Sequence, residues 1–198
     1  MSRRRVGAVV AGAIAAGALA VLPVSAAQAA QAAPAPACAG AARSNPVAVT
    51  LGGVRSAYPV GGPWTSMRLT LRNRTRAVCG RLDPVLVYGA RNRTLRRDAV
   101  RLETLTGNRW RAVPLRTALG ELTGAVGPAQ GLRLRPGASV TLTVRMRFTR
   151  SAPRGQWLSL AVAYAPMEAK GTSVDWPVGV TNPAYFRVVP ARRTHRAA

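Results

Sequence analysis

One stretch of this chain alternates strictly between apolar and polar side chains, and it restricts the fold more than any other feature. In residues 140–149 every even position is apolar and every odd position is polar. Successive side chains of a β-strand point to opposite faces, so this stretch predicts a strand with one buried face and one face in water. Residues 67–73 repeat the pattern with Arg68 and Arg72 outward. Residues 158–164 repeat it with small, uncharged outer residues, which favours a central strand.

The rest of the chain adds shorter strands and the turns between them. Thr-Gly-Asn at residues 106–108 is typical of a hairpin loop, and Pro-Gly at 136–137 and Ala-Pro-Arg-Gly at 152–155 flank the alternating stretch. Many short strands separated by such turns predict an all-β antiparallel sandwich. The apolar spacing becomes helical near 115–122, which predicts one short helix or turn there. The weaker strands are predicted at residues 47–51, 84–88, 99–105, 109–113, 172–178 and 184–189.

The N-terminal segment has the composition of an export signal. Three arginines precede an uncharged run at residues 6–24, and Ala-x-Ala cleavage sites follow at 27–29 and 30–32. The Sec and twin-arginine routes both fit, and retention of the run as a membrane anchor or lipidation of Cys38 are alternatives. We therefore expect a secreted protein, extracellular or associated with the cell envelope. The predicted segments are a signal peptide at 1–32, an Ala/Pro-rich linker at 33–46, the sandwich at 47–190 and a disordered basic tail at 191–198.

Three strand-and-loop motifs carry a resemblance to a known class of module. They are LTLRNRT at residues 69–75, GNRWRAV at 107–113, and RPGASVTL at 135–142 followed by APRG at 152–155. With these motifs the chain resembles the immunoglobulin-like β-sandwich modules of secreted actinobacterial proteins, over roughly residues 47–189. The resemblance implies an immunoglobulin-like sandwich and transfers no catalytic residue.

Positive charge is the compositional outlier. The chain has 29 Lys and Arg residues against six Asp and Glu, so loss of the three signal arginines would leave a net charge of about +20. Such a surface attracts polyanions and repels copies of itself. An anionic cell-wall polymer or a membrane surface is therefore the expected partner, with nucleic acid as an unspecific alternative.

Outward arginines define the candidate binding surface. If residues 67–73 and 140–149 share a sheet, their arginines form one basic stripe; an ordinary solvated strand face is the alternative. Arg-Trp-Arg at 109–111 follows a hairpin turn, where an exposed indole between two cations could stack on a base, a sugar or a lipid headgroup. Packing of this indole inward or along the sheet rim is the alternative. The candidate polyanion surface comprises Arg68, Arg72, Arg74, Arg76, Arg145, Arg147, Arg109, Trp110 and Arg111.

The other three tryptophans are expected in structural positions. Trp157 and Trp176 match inward or strand-end positions and are predicted to lie in the core. Trp64 follows Gly-Gly-Pro and is expected to fill a loop.

The two cysteines, Cys38 and Cys79, are predicted to form a disulfide, as pairs of cysteines in exported chains do. If residues 47–51 pair antiparallel with 67–73, the chain before the first strand and the chain after the second leave the sheet at the same end. The two cysteines then lie near each other. A free thiol or an intermolecular bond is the alternative.

Signatures of catalysis and of metal binding are missing from the sequence. No G-x-S-x-G, H-E-x-x-H, Walker or C-x-x-C motif occurs, and the single histidine, His195, lies in the basic tail. The six acidic residues are scattered, so a glycosidase-type carboxylate pair is not expected. We therefore expect a protein that is not an enzyme, with no cofactor and no metal ion.

These observations favour a non-catalytic module of the cell envelope, structural or adhesive, that associates with anionic wall polymers or lipids. The alternative is a secreted ligand-binding protein that recognises a polyanion such as nucleic acid or a polysaccharide.

Overall fold

The computed structural model describes Cys38, residues 45–91 and residues 94–191. The predicted signal peptide, most of the predicted linker and all of the predicted tail except Ala191 lie outside these residues. Among the described residues no helix is long and apolar enough to cross a membrane. The described strands are β1 (Val47–Gly52), β2 (Ala57–Pro59), β3 (Thr65–Asn73), β4 (Cys79–Ala90), β5 (Val100–Thr106), β6 (Arg109–Ala112), β7 (Arg116–Ala118), β8 (Glu121–Ala125), β9 (Leu132–Leu134), β10 (Ser139–Phe148), β11 (Gly155–Ala169), β12 (Thr172–Val180) and β13 (Ala184–Val189).

The five-stranded sheet places the two strongly alternating strands side by side. Its order is β1-β3-β10-β5-β6, and all of its pairs are antiparallel. Leu71 of β3 lies opposite Val140 of β10, and Thr65 lies opposite Met146. As the alternation predicts, the apolar positions face inward, where Leu69 and Leu71 are fully buried. The arginines at the intervening positions point to the outer face.

The second sheet has eight strands and covers the inner face of the first. The path of this sheet is β2-β13-β11-β4-β8-β7, and β12 pairs with β11 while β9 pairs with β4. β2 runs parallel to β13, so this sheet is mixed rather than wholly antiparallel. The two sheets together confirm the predicted all-β sandwich.

The central strand β11 confirms one prediction and corrects another. It lies between β4 and β13, as its uncharged sequence predicts, but its faces are reversed. The small side chains of Ala161 and Ala163 are fully buried between the sheets, and Leu158 lies on the partly exposed opposite face. The small residues allow β1 to approach β11 and β12 closely. The carbonyl oxygen of Val47 lies so near Gly179 of β12 that a Cβ there would clash with it.

Four aromatic rings fill one end of the core. Phe148 and Trp157 meet edge to face with ring centroids 4.9 Å apart, and Tyr58 and Phe186 do so at 5.0 Å. The indole Nε1 of Trp157 donates a hydrogen bond to the carbonyl of Pro153 at 2.8 Å, so this buried ring keeps its polar group satisfied. The predicted core position of Trp157 is confirmed.

Residues 115–122 form a β-hairpin, so the helical alternative predicted there is wrong and the turn is present. β7 and β8 pair around Leu119 and Gly120, whose φ angles are 51° and 83°. Two successive positive φ values are typical of a type I′ hairpin turn. Leu122 is buried and Leu119 is fully exposed, so the leucines that suggested a helical stripe lie on different sides.

The predicted disulfide between Cys38 and Cys79 is confirmed. The two Cα atoms lie 4.8 Å apart and both side chains are buried. β1 pairs antiparallel with β3, with Val47 opposite Asn73, so the chain before β1 and the start of β4 meet at the same end of the sandwich. The disulfide therefore joins Cys38, which precedes β1 in the chain, to the start of β4.

Candidate polyanion-binding surface

The arginines of the predicted stripe lie on one face, because β3 and β10 are neighbours. Arg68 and Arg72 occupy outer positions of β3, and Arg145 and Arg147 occupy outer positions of β10. Arg101 of β5 joins them, directly opposite Arg147. We call this outer surface of the five-stranded sheet the arginine face; it comprises Arg68, Arg72, Arg101, Arg145, Arg147, Glu103, Trp64 and Trp110.

Arg74 and Arg76 lie beyond the end of the row. β3 ends at Asn73, and both arginines are exposed in the loop that leads to β4. The buried Asn73 fixes this loop, because its Nδ2 donates hydrogen bonds to the carbonyls of Ala77 at 2.7 Å and Leu134 at 3.1 Å. These two arginines are thus held at the edge of the sheet rather than on the arginine face.

Arg145 contacts two indoles and one carboxylate on the arginine face. Its guanidinium carbon lies 4.2 Å from the ring centroid of Trp110 and 4.7 Å from that of Trp64. Its Nε donates a hydrogen bond to Oε2 of Glu103 at 2.6 Å, and its Nη2 lies 2.5 Å from the same oxygen. Arg147 also lies over Trp64, at 4.8 Å. Cation–π contacts and an ion pair therefore hold the Arg145 charge in place.

The Arg-Trp-Arg motif does not act as one unit. Trp110 lies opposite Leu105 on the outer side of the edge strand β6 and is half-buried. Arg109 and Arg111 flank it along the strand and therefore point to the other side. Trp110 packs along the rim of the sheet, the alternative stated above, and Arg145 covers one face of its ring. A ligand that stacked on that ring face would have to displace Arg145.

A cleft of about 580 Å³ opens beside the arginine face. Its charged lining comes from three elements: Arg97 precedes β5, Arg101 and Glu103 lie on β5, and Arg147 lies on β10. Trp64 forms an aromatic wall. The ion pairs found in the described part of the chain are Arg145 with Glu103 and an exposed pair, Arg96 with Asp98. The three arginines of the cleft are therefore without a carboxylate partner among the described residues.

Sequence reasoning missed Trp64, Arg97, Arg101 and Glu103 as members of the site. The alternation in residues 99–105 places Arg101 and Glu103 on the polar side of a predicted strand. Their membership of the site could not be predicted, because the sequence does not show that this strand lies beside β10. Trp64, expected to fill a loop, lies on the arginine face. Trp176, expected in the core, is 43% exposed on β12, so that prediction is wrong.

Two of the scattered carboxylates meet away from the arginine face. Asp83 and Asp175 line one cleft of about 290 Å³, together with Arg81. Burial, and then the charge of Asp175, raise the pKa of Asp83 above its ordinary value. The fold thus brings together two acids that lie far apart in the sequence. No group of three or more metal-ligating side chains occurs among the described residues.

Comparisons with known proteins identify the fold and nothing finer. No protein-family model matches this chain, and no curated protein matches its sequence. AvmM, which catalyses macrocyclization in alchivemycin A biosynthesis, is 17% identical with a TM-score of 0.58, over 76% of this chain and 93% of that one. Native α-2-macroglobulin of Escherichia coli, from domain MG7 to its C-terminus, is 18% identical with a TM-score of 0.40, over 74% of this chain and 17% of that one. The fold therefore occurs in an enzyme, and a non-catalytic role has to be argued from residues.

Proposed function

We propose that this protein is a secreted, non-catalytic module of the cell envelope whose arginine face binds anionic wall polymers. The observation that carries the proposal is the row of outward arginines on three adjacent strands, β3, β10 and β5, with Glu103 as the acid among them. Because Arg145 neutralises Glu103, the remaining arginines set the potential of the face. Anionic lipid headgroups carry the same charge and are the second surface to which the face is suited.

Location outside the cytosol is supported by two independent features. The disulfide between Cys38 and Cys79 belongs to an oxidising compartment, because cytosolic thiols are kept reduced. The first 32 residues have the composition of an export signal, with basic residues, an uncharged run and Ala-x-Ala sites. Export would bring the arginine face into contact with anionic polymers rather than with cytosolic nucleic acid.

A non-catalytic role is supported by the chemistry of the described residues. The arginine face contains cations, indoles and one neutralised carboxylate, and it has neither a nucleophile paired with a base nor an uncommitted acid. The indole of Trp110 is partly covered by Arg145, which disfavours base stacking and hence nucleic acid as the specific ligand.

Co-sedimentation with purified anionic wall polymer, and separately with DNA, tests this proposal across about 50 to 200 mM salt. The test variant is the double substitution Arg68→Gln and Arg72→Gln on the arginine face. The matched control removes the same charge from exposed positions of the other sheet, as Arg116→Gln and Arg187→Gln.

We expect the test variant to bind wall polymer more weakly and with a salt dependence less steep by roughly one to two counterions, since each lost phosphate contact releases about one fewer. The control should retain the wild-type slope. Equal loss in the two variants would mean that net charge alone drives binding. Equal binding of DNA and wall polymer by the wild-type protein would remove the assignment to the envelope.

A further inference from the structure

The arginine face contains two like charges that lie directly opposite each other. Arg101 of β5 and Arg147 of β10 occupy directly opposite positions of adjacent antiparallel strands. Side chains at such positions are close neighbours, and like charges there destabilise a sheet. The next outward pair along these strands, Arg145 opposite Glu103, has the complementary charges expected of a pair selected for stability.

The repulsive pair lies in the lining of a cleft. Arg97, Arg101 and Arg147 border the same space of about 580 Å³, and Trp64 forms one wall. Glu103 also lines the cleft, but its Oε2 is bound by Arg145 through two guanidinium nitrogens. Among the described residues, three arginines therefore line one cavity without an ion-pair partner.

We propose that this cleft binds a phosphate ester, with the phosphate held between Arg97, Arg101 and Arg147. This inference rests on the proposed function in one respect: it assigns a terminal phosphate monoester of a wall polymer as the part that enters the cleft. A phosphate monoester presents three oxygens and close to two negative charges, which matches three planar guanidinium forks better than a single carboxylate does.

The remaining lining indicates where the esterified group lies. Trp64, Val113 and Leu115 give the cleft an apolar side, and Arg147 is already packed over the ring of Trp64. An alkyl or polyol chain attached to the phosphate has this surface to contact. Binding of the anion relieves the repulsion between Arg101 and Arg147, so the ligand stabilises the folded protein by mass action.

Calorimetry and thermal unfolding with inorganic phosphate and with glycerol phosphate, at constant ionic strength, test the inference. Acetate, a carboxylate, is the comparison anion. The variants are Arg101→Gln and Arg97→Gln in the cleft, Arg101→Lys, which keeps the charge but not the fork, and Arg68→Gln as a control on the arginine face outside the cleft.

We expect Arg101→Gln and Arg97→Gln each to lower the affinity for glycerol phosphate by about tenfold or more, since a charge-assisted hydrogen bond is lost. Arg101→Lys should lose part of the affinity, and Arg68→Gln should keep it. Without ligand, Arg101→Gln should unfold at a higher temperature than the wild type, a change that a purely structural arginine would not give. The second variant, Arg97→Gln, lies in a loop and keeps the test informative if a change on β5 impairs folding.

Three results would overturn the inference: wild-type protein unaffected by glycerol phosphate, acetate as effective as phosphate, or an equal phosphate response in Arg101→Gln. The outcome is separable from that of the proposed function. If wall polymer binds and depends on Arg68 and Arg72 while phosphate esters have no effect, the cleft assignment fails alone. If phosphate esters bind in the cleft but wall polymer does not sediment with the protein, the proposed function fails alone.

Discussion

The hydroxyl group of Tyr88 gives the sharpest test of the core. The side chain is fully buried on β4, and its hydroxyl has no hydrogen-bond partner among the described residues. The same holds for Ser159, which lies directly opposite on β11. An unsatisfied buried polar group costs about 1–3 kcal/mol, because it gives up its bonds to water and gains none. Burial also raises the pKa of Tyr88, so the phenol stays neutral in the folded protein.

Tyr88→Phe removes only the hydroxyl oxygen and keeps the ring, so it creates almost no cavity. We expect the free energy of unfolding to rise by about 1–3 kcal/mol. For a domain of this size that corresponds to an increase in Tm of roughly 2–12 °C. Thermal and urea unfolding followed by circular dichroism measure both quantities.

Tyr58→Phe is the matched control, with the opposite sign. Tyr58 is also buried, but its hydroxyl accepts a hydrogen bond from the backbone N–H of Arg55 at 2.8 Å. Loss of this hydrogen bond in Tyr58→Phe should lower the free energy of unfolding by about 0.5–1.5 kcal/mol. If Tyr88→Phe lowers the stability as Tyr58→Phe does, the hydroxyl of Tyr88 is bonded in the folded protein and the reasoning is refuted.

Three further predictions concern packing, pH and the covalent link. Gly179→Ala should destabilise the protein by about 1–3 kcal/mol in urea unfolding, because the added Cβ meets the carbonyl of Val47. Gly80→Ala, which has open space around it, should be nearly neutral. Equal effects of the two substitutions would contradict the packing argument. Asp83→Asn should stabilise the protein at neutral pH and have little effect below pH about 4, because a raised pKa favours the protonated carboxyl in the folded state. A gain that persists in acid would exclude this cause. Reduction of the disulfide should lower the free energy of unfolding by about 4 kcal/mol in the chain-entropy model, because the bond joins cysteines with a sequence separation of 41. An unchanged Tm after reduction would show that the disulfide does not stabilise the fold.

The parts of the fold that local sequence controls were predictable. In β3 and β10 a polar residue at an inward position would be costly, so alternation identified both the strands and their buried faces. The disulfide followed from one assumed strand pair, β1 with β3, which the structure contains. In both cases the interaction that decides the structure joins residues on one strand or on one pair of neighbouring strands.

The errors arose where packing between distant segments decides the outcome. In β11 the large residues suggested the core face, but β1 passes so close that only Ala161 and Ala163 fit there. The hairpin at β7 and β8 depends on Gly120 adopting a positive φ, which outweighs the helical spacing of the leucines. The cleft was beyond local reasoning, because Arg101 and Arg147 meet only through the register of β5 with β10.

The covalent loop closed by Cys38 and Cys79 encloses β1, β2 and β3, strands that belong to both sheets. A module stretched between two anchored surfaces would therefore keep these strands out of the extensible chain. The sequence separation of 41 between the cysteines corresponds to roughly 140 Å of contour length, which the oxidised protein would not extend under force and a reducing agent would release. Single-molecule pulling in oxidised and reduced buffer would read the difference directly as a change in step length.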